Sequence, residues 1–497
     1  MNKPLNEDFG WTYLALALFA GIPLYFWILS LSNLLQVAFL ILFALILLCS
    51  MMIWYAFFSK IAVEKKNKRN IFQEIPIKLR EPSEDSILLG KESDLTVPIY
   101  FPASIRSRHV HILGSTGAGK TESVILNFLK QDIAAGRGAI ILDAKGDDSF
   151  QENLKKWLPP EKIGIVDLSN EKSESFDPLR NGTPTEAALR LHASLSWSEE
   201  YYKSKALTAL LRLFENHYKK SEQNPTIEEI NRKLYNAATF ATEITKDSNE
   251  QKVLQKSFNE LAGLCDQVKA LTLGHMNHIL SPSKDAPQIK LEDALNGKVI
   301  YFRLQSLISP QTVASVGKLI INNINFLAGQ THRVAHSDAP KRLVPVFLDE
   351  FAAFASPEFA PLIAMARSAG FALHFSHQSI GDLINVGKGF VNQITDNSGT
   401  KIVLRINDPD TAEYFAKSFG TKLINKLTQR ITKTDVNLEG ELVGEGSSRE
   451  AHQFRASPDL LKTLPTGMAA VLIAHGENTK EGASHVFKIK FPRLEEN

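Results

Sequence analysis

The hydrophobic and polar positions divide the chain into two parts near residue 60. Residues 11–58 are predominantly apolar, and no charged residue lies between Asp8 and Lys60. A helix needs about 20 apolar residues to cross a bilayer, so this stretch predicts two membrane spans. The turn between them is predicted at residues 30–33, where the polar residues Ser and Asn interrupt the run. A cleaved signal peptide fits less well, because a second apolar span follows without a break.

The segment after the apolar run is rich in positive charge. It carries Lys60, Lys65, Lys66, Lys68 and Arg69. Positive residues flank the cytoplasmic ends of membrane helices, so everything downstream is predicted to be cytoplasmic. We therefore interpret residues 1–59 as a membrane anchor with two transmembrane helices, and residues 60–108 as a basic linker followed by short strands.

From residue 109 onward, short apolar runs alternate with helix-forming segments, which is the pattern of an α/β fold. Residues 109–113, 139–143 and 163–167 predict buried parallel strands. Residues 122–135 predict a helix, and Gly136 follows where a helix C-cap belongs. The pattern therefore predicts strands and helices that follow one another in a parallel sheet.

The alternation stops at residue 183 and resumes after residue 275. Helix formers dominate residues 183–275, and strand-like runs return at 298–302. We interpret residues 183–275 as an all-α domain inserted into the α/β chain. Because it leaves and rejoins that chain between strands, we expect it to be removable as a unit.

One glycine-rich stretch between a predicted strand and a predicted helix fits the pattern G-x-x-x-x-G-K-[ST]. It consists of Gly114, Ser115, Thr116, Gly117, Ala118, Gly119, Lys120 and Thr121. Backbone N–H groups of such a loop cradle phosphates at the positive end of the following helix. Lys120 is predicted to reach the β- and γ-phosphates of ATP, and Thr121 to ligate Mg²⁺. Residues 109–182 and 276–497 are thus predicted to form one P-loop ATPase domain.

A second group of candidate residues follows later strands. Asp349 and Glu350 end an apolar strand, where Asp349 is expected to hold Mg²⁺ and Glu350 to polarise the attacking water. Gln378 ends the next strand and is a candidate contact to the γ-phosphate or to that water. Arg367 and Arg405 are competing candidates for an arginine that acts across a subunit boundary.

Composition adds little to this interpretation. The formal net charge of +2 neither demands nor excludes nucleic acid as a partner. Cys49 and Cys265 cannot make a disulfide framework, and no Cys-x-x-Cys spacing indicates a metal. His374 and His377 lie three residues apart on a predicted strand, so they face opposite sides of it and are interpreted as structural.

Taken together, these motifs resemble those of the type IV secretion and conjugative coupling proteins, the TraD/TraG group of membrane-anchored DNA-pumping ATPases. The order and spacing of eight segments carry the resemblance: 108–121, 143–147, 176–179, 347–351, 376–379, 401–405, 408–413 and 460–465. It implies a RecA/FtsK-like core, a homohexamer in the cell inner membrane, and an all-α domain facing the transfer machinery. It also implies that Arg367 reaches into the neighbouring subunit's site.

The resemblance implies a motor that couples ATP hydrolysis to the transfer of single-stranded DNA and its attached relaxase. The implied partners are the relaxosome and the components of a type IV secretion channel. Two other functions stay open. One is an FtsK- or HerA-like translocase of double-stranded DNA, and the other is a receptor ATPase that recruits protein effectors to the channel. Glu350 favours ATP turnover over binding alone.

Overall fold

The computed structural model describes residues 37–38, 40–55, 57–58, 75–283, 287–305, 310–334, 343–432, 441–474 and 484–494. The chain divides into two compact units, Met1–Glu74 and Ile75–Asn497. In the first unit the described residues are helical, and their large apolar side chains are exposed. The predicted first span, the turn after it and the basic residues 60–69 of the predicted linker lie outside the described residues. Among the helices that are described, none is long and apolar enough to cross a membrane.

The second unit contains thirteen strands in its described part, which we number in chain order. They are β1 Ile87–Glu92, β2 Pro98–Phe101, β3 Val110–Leu113, β4 Ala139–Asp143, β5 Ile163–Asp167, β6 Val299–Arg303, β7 Val344–Asp349, β8 Phe371–His377, β9 Thr400–Val403, β10 Thr421–Thr432, β11 Glu441–Phe454, β12 Met468–Ala474 and β13 Ser484–Lys490.

The helices of the second unit are numbered in the same way. They are α1 Ile77–Arg80, α2 Ala103–Arg106, α3 Leu126–Ala134, α4 Asp148–Trp157, α5 Pro184–Ser194, α6 Glu200–Ser221, α7 Ile227–Lys233, α8 Ala237–Ile244, α9 Ser248–Ser257, α10 Ala262–Ala270, α11 Met276–Leu280, α12 Pro310–Val334, α13 Phe359–Met365, α14 Ile380–Ile384, α15 Lys388–Asn397, α16 Pro409–Phe419 and α17 Pro458–Thr463. A π-helical turn, Lys120–Ile125, precedes α3.

Eleven of these strands form one mixed sheet in the order β2-β1-β13-β12-β9-β3-β8-β7-β4-β6-β5. The strands from β9 to β5 run parallel, whereas β12, β13, β1 and β2 extend the sheet by antiparallel pairing. Every residue of β3, β4, β7 and β8 is buried. This explains why these strands are mostly apolar, because helices cover both faces of a parallel sheet. The sequence-based α/β prediction is confirmed.

Strands β10 and β11 form a separate two-stranded hairpin that the sequence analysis did not anticipate. The hydrophobic pattern there is weak, since most residues of both strands are polar or charged. Only the first part of the segment 401–405 is a strand. It ends at Val403, so that Arg405 lies in the following loop.

From α5 to α11 the described chain is helical, as the composition predicted. Two of these helices begin with a capping box, in which Thr183 pairs with Glu186 and Thr226 with Glu229. Their apolar faces share one continuous core with the sheet. This shared core argues against removal of the helices as a unit, and Ile75–Asn497 forms one compact unit. The boundaries of an inserted domain at 183–275 stay a prediction.

Candidate functional site

The glycine-rich loop of residues 114–121 leaves the carboxyl end of β3, which lies between β8 and β9 in the sheet. Gly117 and Gly119 have φ angles of 74° and 98°, which side chains rarely adopt. A Cβ at Gly119 would also lie 2.7 Å from the Ser123 hydroxyl. The glycines are therefore required for the loop to fold back on itself at the start of the helix.

Lys120 and Thr121 begin the π-helical turn after the loop. The Lys120 side chain is buried, and its Nζ donates a 2.7 Å hydrogen bond to the Gly114 carbonyl oxygen. The ammonium thus lies inside the curve of the loop, where a phosphate would be held. The Thr121 hydroxyl donates a 2.6 Å hydrogen bond to Oδ2 of Asp349.

Asp349 is the last residue of β7, and burial leaves it 3% exposed. It lies 228 positions from Thr121 in the sequence, and the parallel sheet brings the two together at its carboxyl edge. The pair offers a hydroxyl and a carboxylate, which are the oxygen ligands that Mg²⁺ prefers. In the described residues, no group of three or more His, Cys, Asp or Glu side chains could hold a metal ion by itself. A cation here would therefore need ligands from a bound nucleotide or from water.

Glu350 follows β7 in a left-handed conformation, with φ 52° and ψ 49°. Its carboxylate accepts a 2.8 Å hydrogen bond from Nε2 of Gln378. Oε1 of the same amide accepts a 3.2 Å hydrogen bond from the Thr116 hydroxyl. Gln378 thus connects the glutamate to the glycine-rich loop, and the sequence-predicted Glu350 and Gln378 lie in one cluster with Lys120.

Asp143 ends β4, directly opposite Asp349 on the neighbouring strand. Burial and the nearby charge of Asp349 raise the pKa of Asp143 above its usual range. Its carboxylate accepts hydrogen bonds from the backbone N–H groups of residues 145–147 and from the Tyr301 hydroxyl. These contacts indicate that Asp143 organises the turn after β4 rather than serving as a metal ligand.

Sequence reasoning missed one contact to the loop. The turn before β12 packs against it, since Gly467 N donates to the Ala118 carbonyl at 3.3 Å and the Thr466 hydroxyl donates to the Gly117 carbonyl at 3.4 Å. No local motif signals this contact, because the partners lie about 350 residues apart. A glycine in a short Pro-Thr-Gly turn was the only available sign.

The two candidate arginines lie at opposite edges of the sheet. Arg367 is exposed in the turn Ala366–Ala369, before the amino end of β8. Arg367 does not lie at the carboxyl edge, because a chain that leaves β7 must return to the amino edge before it enters the parallel strand β8. Seven residues of β8, roughly 20 Å, separate Arg367 from Gln378.

Arg405 lies at the carboxyl edge instead. Its carbonyl oxygen accepts hydrogen bonds from the backbone N–H of Ser115 at 2.8 Å and from the Ser115 hydroxyl at 3.0 Å. The side chain of Arg405 is half-buried. Within one chain, Arg405 is therefore the arginine that lies beside the glycine-rich loop.

His374 and His377 are buried on opposite faces of β8. Nε2 of His374 accepts from Nε of Arg106 at 2.8 Å, whereas Nε2 of His377 lies 2.6 Å from Nε2 of His111. Burial lowers the pKa of His374 and of His111 well below the usual histidine range. Buried histidines with protein partners fit the structural interpretation.

Two family models match the chain. The central domain of the helicase HerA matches residues 87–324, and the TraM recognition site of TraD and TraG matches residues 343–465. A curated relative, the type 4 coupling protein DotL of Legionella pneumophila, is 22% identical over 80% of this chain. The alignment spans 58% of the length of DotL.

Solved structures show the same fold. The conjugative coupling protein TrwB in an unbound form has a TM-score of 0.60 at 16% identity, covering 84% of this chain and 91% of TrwB. TrwB in complex with ADP and Mg²⁺ has a TM-score of 0.59 at 15% identity, covering 84% of this chain and 90% of TrwB. VirB4 of Thermoanaerobacter pseudethanolicus has a TM-score of 0.54 at 15% identity, covering 83% of this chain and 98% of VirB4.

The sheet order, the glycine-rich loop and the carboxylates opposite it define a P-loop protein with the fold of TrwB and the HerA central domain. The resemblance to the type IV coupling protein family, predicted from the motifs, is confirmed by the family-model matches and by the similarity to DotL and TrwB.

Proposed function

We propose that the chain is a membrane-anchored ATPase that couples ATP hydrolysis to the transfer of single-stranded DNA, with its attached relaxase, to a type IV secretion channel. The observation that carries the proposal is the cluster of Lys120, Thr121, Asp349 and Glu350 at one edge of the sheet. Such an edge is where parallel α/β sheets bind their ligands. Similarity to coupling proteins, one of them crystallised with ADP and Mg²⁺, supports the same function.

In this proposal the loop residues from Gly114 to Thr121 bind the phosphates of ATP, and Lys120 turns from the Gly114 carbonyl to the β- and γ-phosphates. Thr121 and Asp349 hold Mg²⁺, and their neighbouring oxygen atoms fit that ion. The ion neutralises negative charge on the phosphate oxygens when it is bound.

Glu350 orients and polarises the attacking water in the proposed reaction. Its carboxylate is held by Gln378, whose amide also contacts Thr116 of the phosphate loop. A ligand that displaces the Thr116 hydroxyl from Gln378 would also change the position of Glu350. We propose that a ligand bound in the phosphate loop changes the position of Glu350 through Gln378.

Arg367 is proposed to act on the ATP of a neighbouring subunit in a homohexameric ring. Its exposure supports this role, and its place at the amino edge leaves it too far from the phosphate loop of its own chain. An arginine supplied in trans can accelerate phosphoryl transfer by about 10³–10⁵-fold. Arg405 is the alternative, since it lies beside the loop.

The anchor is proposed to consist of two inner-membrane spans within residues 11–58, with the rest of the chain in the cytoplasm. The uncharged sequence supports this, and so do the exposed apolar side chains of residues 40–55. The proposed partners are the relaxosome and the channel components. DotL and TrwB, which are named as coupling proteins, support this assignment.

A second candidate is a translocase of double-stranded DNA. The match of residues 87–324 to the central domain of HerA favours it. The two candidates share the ATPase site and differ in the nucleic acid that stimulates it.

The test is steady-state ATP hydrolysis by the full chain in detergent, with single-stranded DNA, double-stranded DNA or neither. We expect single-stranded DNA to raise the rate most, and Glu350→Gln to abolish hydrolysis while leaving nucleotide binding in place. Stimulation by double-stranded DNA alone would favour the HerA-like translocase. An ATPase that responds to neither DNA would favour a receptor for protein effectors.

A further inference from the structure

Ser376 is fully buried near the end of β8, directly beneath the two acidic residues of the site. Its hydroxyl donates a 2.5 Å hydrogen bond to Oδ1 of Asp349. The Ser376 hydroxyl oxygen in turn accepts a 3.2 Å hydrogen bond from the backbone N–H of Glu350. The Ser376 hydroxyl thus donates to Asp349 and accepts from Glu350, two residues that are adjacent in the sequence.

The contact to Asp349 fixes the orientation of that carboxylate. Oδ2 faces the Thr121 hydroxyl, and Oδ1 is held by Ser376 together with the N–H of Glu350. Without the serine hydroxyl, Oδ1 would keep a single partner in a buried position, and the carboxylate could rotate about its χ2 angle. Either carboxylate oxygen of Asp349 could then face Thr121.

The contact to Glu350 stabilises an unfavourable backbone conformation. A left-handed conformation is unfavourable for a residue with a side chain, so Glu350 needs surrounding contacts to hold it there. Ser376 lies near the end of β8, and Gln378 directly follows that strand. They hold the backbone N–H and the carboxylate of Glu350 respectively.

We propose that Ser376 is a positioning residue that orients Asp349 for Mg²⁺ and sets the direction of Glu350. The proposal rests on the proposed ATPase function and deepens it by naming a residue behind the metal ligand. Residues that orient a metal ligand typically contribute about 10–100-fold to metal affinity. The effect should therefore fall on Mg²⁺ dependence and leave the affinity for metal-free nucleotide unchanged.

The test compares the full chain with Ser376→Ala and Ser376→Cys. Cysteine has a similar size and is a weak donor, so it keeps the packing if alanine disturbs folding. The matched control is Ser398→Ala, another fully buried serine, whose hydroxyl donates to the Thr395 carbonyl away from the acidic pair. Binding of a fluorescent ADP analogue is measured as Mg²⁺ is titrated, and again in EDTA.

We expect Ser376→Ala to raise the Mg²⁺ concentration at half-saturation about ten-fold. Ser376→Cys should shift it less, and Ser398→Ala should not shift it. Binding in EDTA should be the same for all four proteins, and excess Mg²⁺ should restore ATP turnover of Ser376→Ala. An unshifted titration in both Ser376 variants, or an equal shift in Ser398→Ala, overturns the proposal while leaving the ATPase in place. A wild-type chain that binds no nucleotide overturns both.

Discussion

At the scale of single residues, the proposed chemistry depends most directly on Lys120. This lysine is buried, and its ammonium lies 2.7 Å from a backbone carbonyl oxygen of the same loop. A lysine on a flexible stem can exchange a carbonyl partner for a phosphate oxygen without any change in the backbone. The residue therefore links the fold of the loop to the binding of the substrate.

We expect Lys120→Ala to lower ATP turnover by about 10²–10³-fold, the usual effect of removing one charge-stabilising donor. The far-ultraviolet circular dichroism spectrum should be unchanged, because the lost contacts are to one carbonyl and to phosphate. Lys156→Ala, which removes an exposed lysine of α4, is the control. Turnover near the wild-type rate in Lys120→Ala would contradict the assignment.

His109 gives a prediction about pH. It is buried, with Nδ1 accepting a 3.1 Å hydrogen bond from the backbone N–H of Leu373. Burial, with a further contribution from the Arg367 charge, lowers the pKa of His109 from 6.5 to about 4. As the pH falls below 6.5, the unfolded chain binds the proton first, so the folded state loses up to about 1.4 kcal/mol per pH unit until about pH 4.

His109→Asn should flatten this dependence by about one proton. Asparagine tolerates the φ of 68° at this position and offers Oδ1 in place of Nδ1. The measurement is the free energy of unfolding in urea at several pH values between 7.5 and 5. An identical slope in wild type and variant would show that His109 does not stay neutral in the folded chain.

At the scale of elements, β8 unites most of the site. Its carboxyl end carries Ser376, and the bend after it carries Gln378, so that both residues contact Glu350. The strand also pairs with both β3 and β7. The distance between the glycine-rich loop and the acidic residues Asp349 and Glu350 is therefore set by β8, which lies between β3 and β7. A shift in the register of β8 would move both contacts to Glu350 at once.

The helices from α5 to α11 give a prediction at the same scale. Leu210 and Phe214 of α6 share a buried core with Val166 of β5 and with α12. Replacing residues 183–275 by a short linker should therefore expose apolar surface of α12 and yield aggregated or strongly destabilised protein. Expression, gel filtration and thermal melting of the shortened chain test this. A soluble, cooperatively folded remainder would instead support an independent inserted domain.

At the scale of the whole molecule, the ring hypothesis depends on which arginine acts in trans. Arg367 lies at the amino edge of the sheet, away from its own loop, whereas Arg405 contacts that loop through its carbonyl. An arginine that acts in trans is carried by one subunit and contacts the ATP that the neighbouring subunit hydrolyses. Mixing two inactive variants can therefore restore activity only for a trans-acting residue.

We expect Arg367→Ala to bind ATP nearly normally and to hydrolyse it poorly. Mixed with Lys120→Ala, it should regain part of the activity, because some interfaces then combine an intact loop with an intact arginine. Arg405→Ala mixed with Lys120→Ala is the comparison and should regain none. ATP hydrolysis as a function of mixing ratio is the measurement. Recovery with Arg405→Ala and not with Arg367→Ala would transfer the role to Arg405.

The sequence by itself determined the local parts of this protein. Strands β4 and β5 have the bounds that the sequence predicted, because a strand covered on both faces is apolar over most of its length. Lys120 and Thr121 could be proposed from a motif, since its glycines are required by backbone angles within the loop. Asp349 and Glu350 could be proposed because parallel strands bring their carboxyl ends to one edge.

Only the tertiary structure decided how distant parts meet. The sheet order, the contact of Thr466 and Gly467 with the loop, and the double hydrogen bond of Ser376 join residues that are far apart in sequence. Periodicity reports which face of an element is buried but not which neighbour buries it. For the same reason the sequence could not assign Arg367 to an edge of the sheet, because the edge that a turn occupies follows from the direction of the strands it joins.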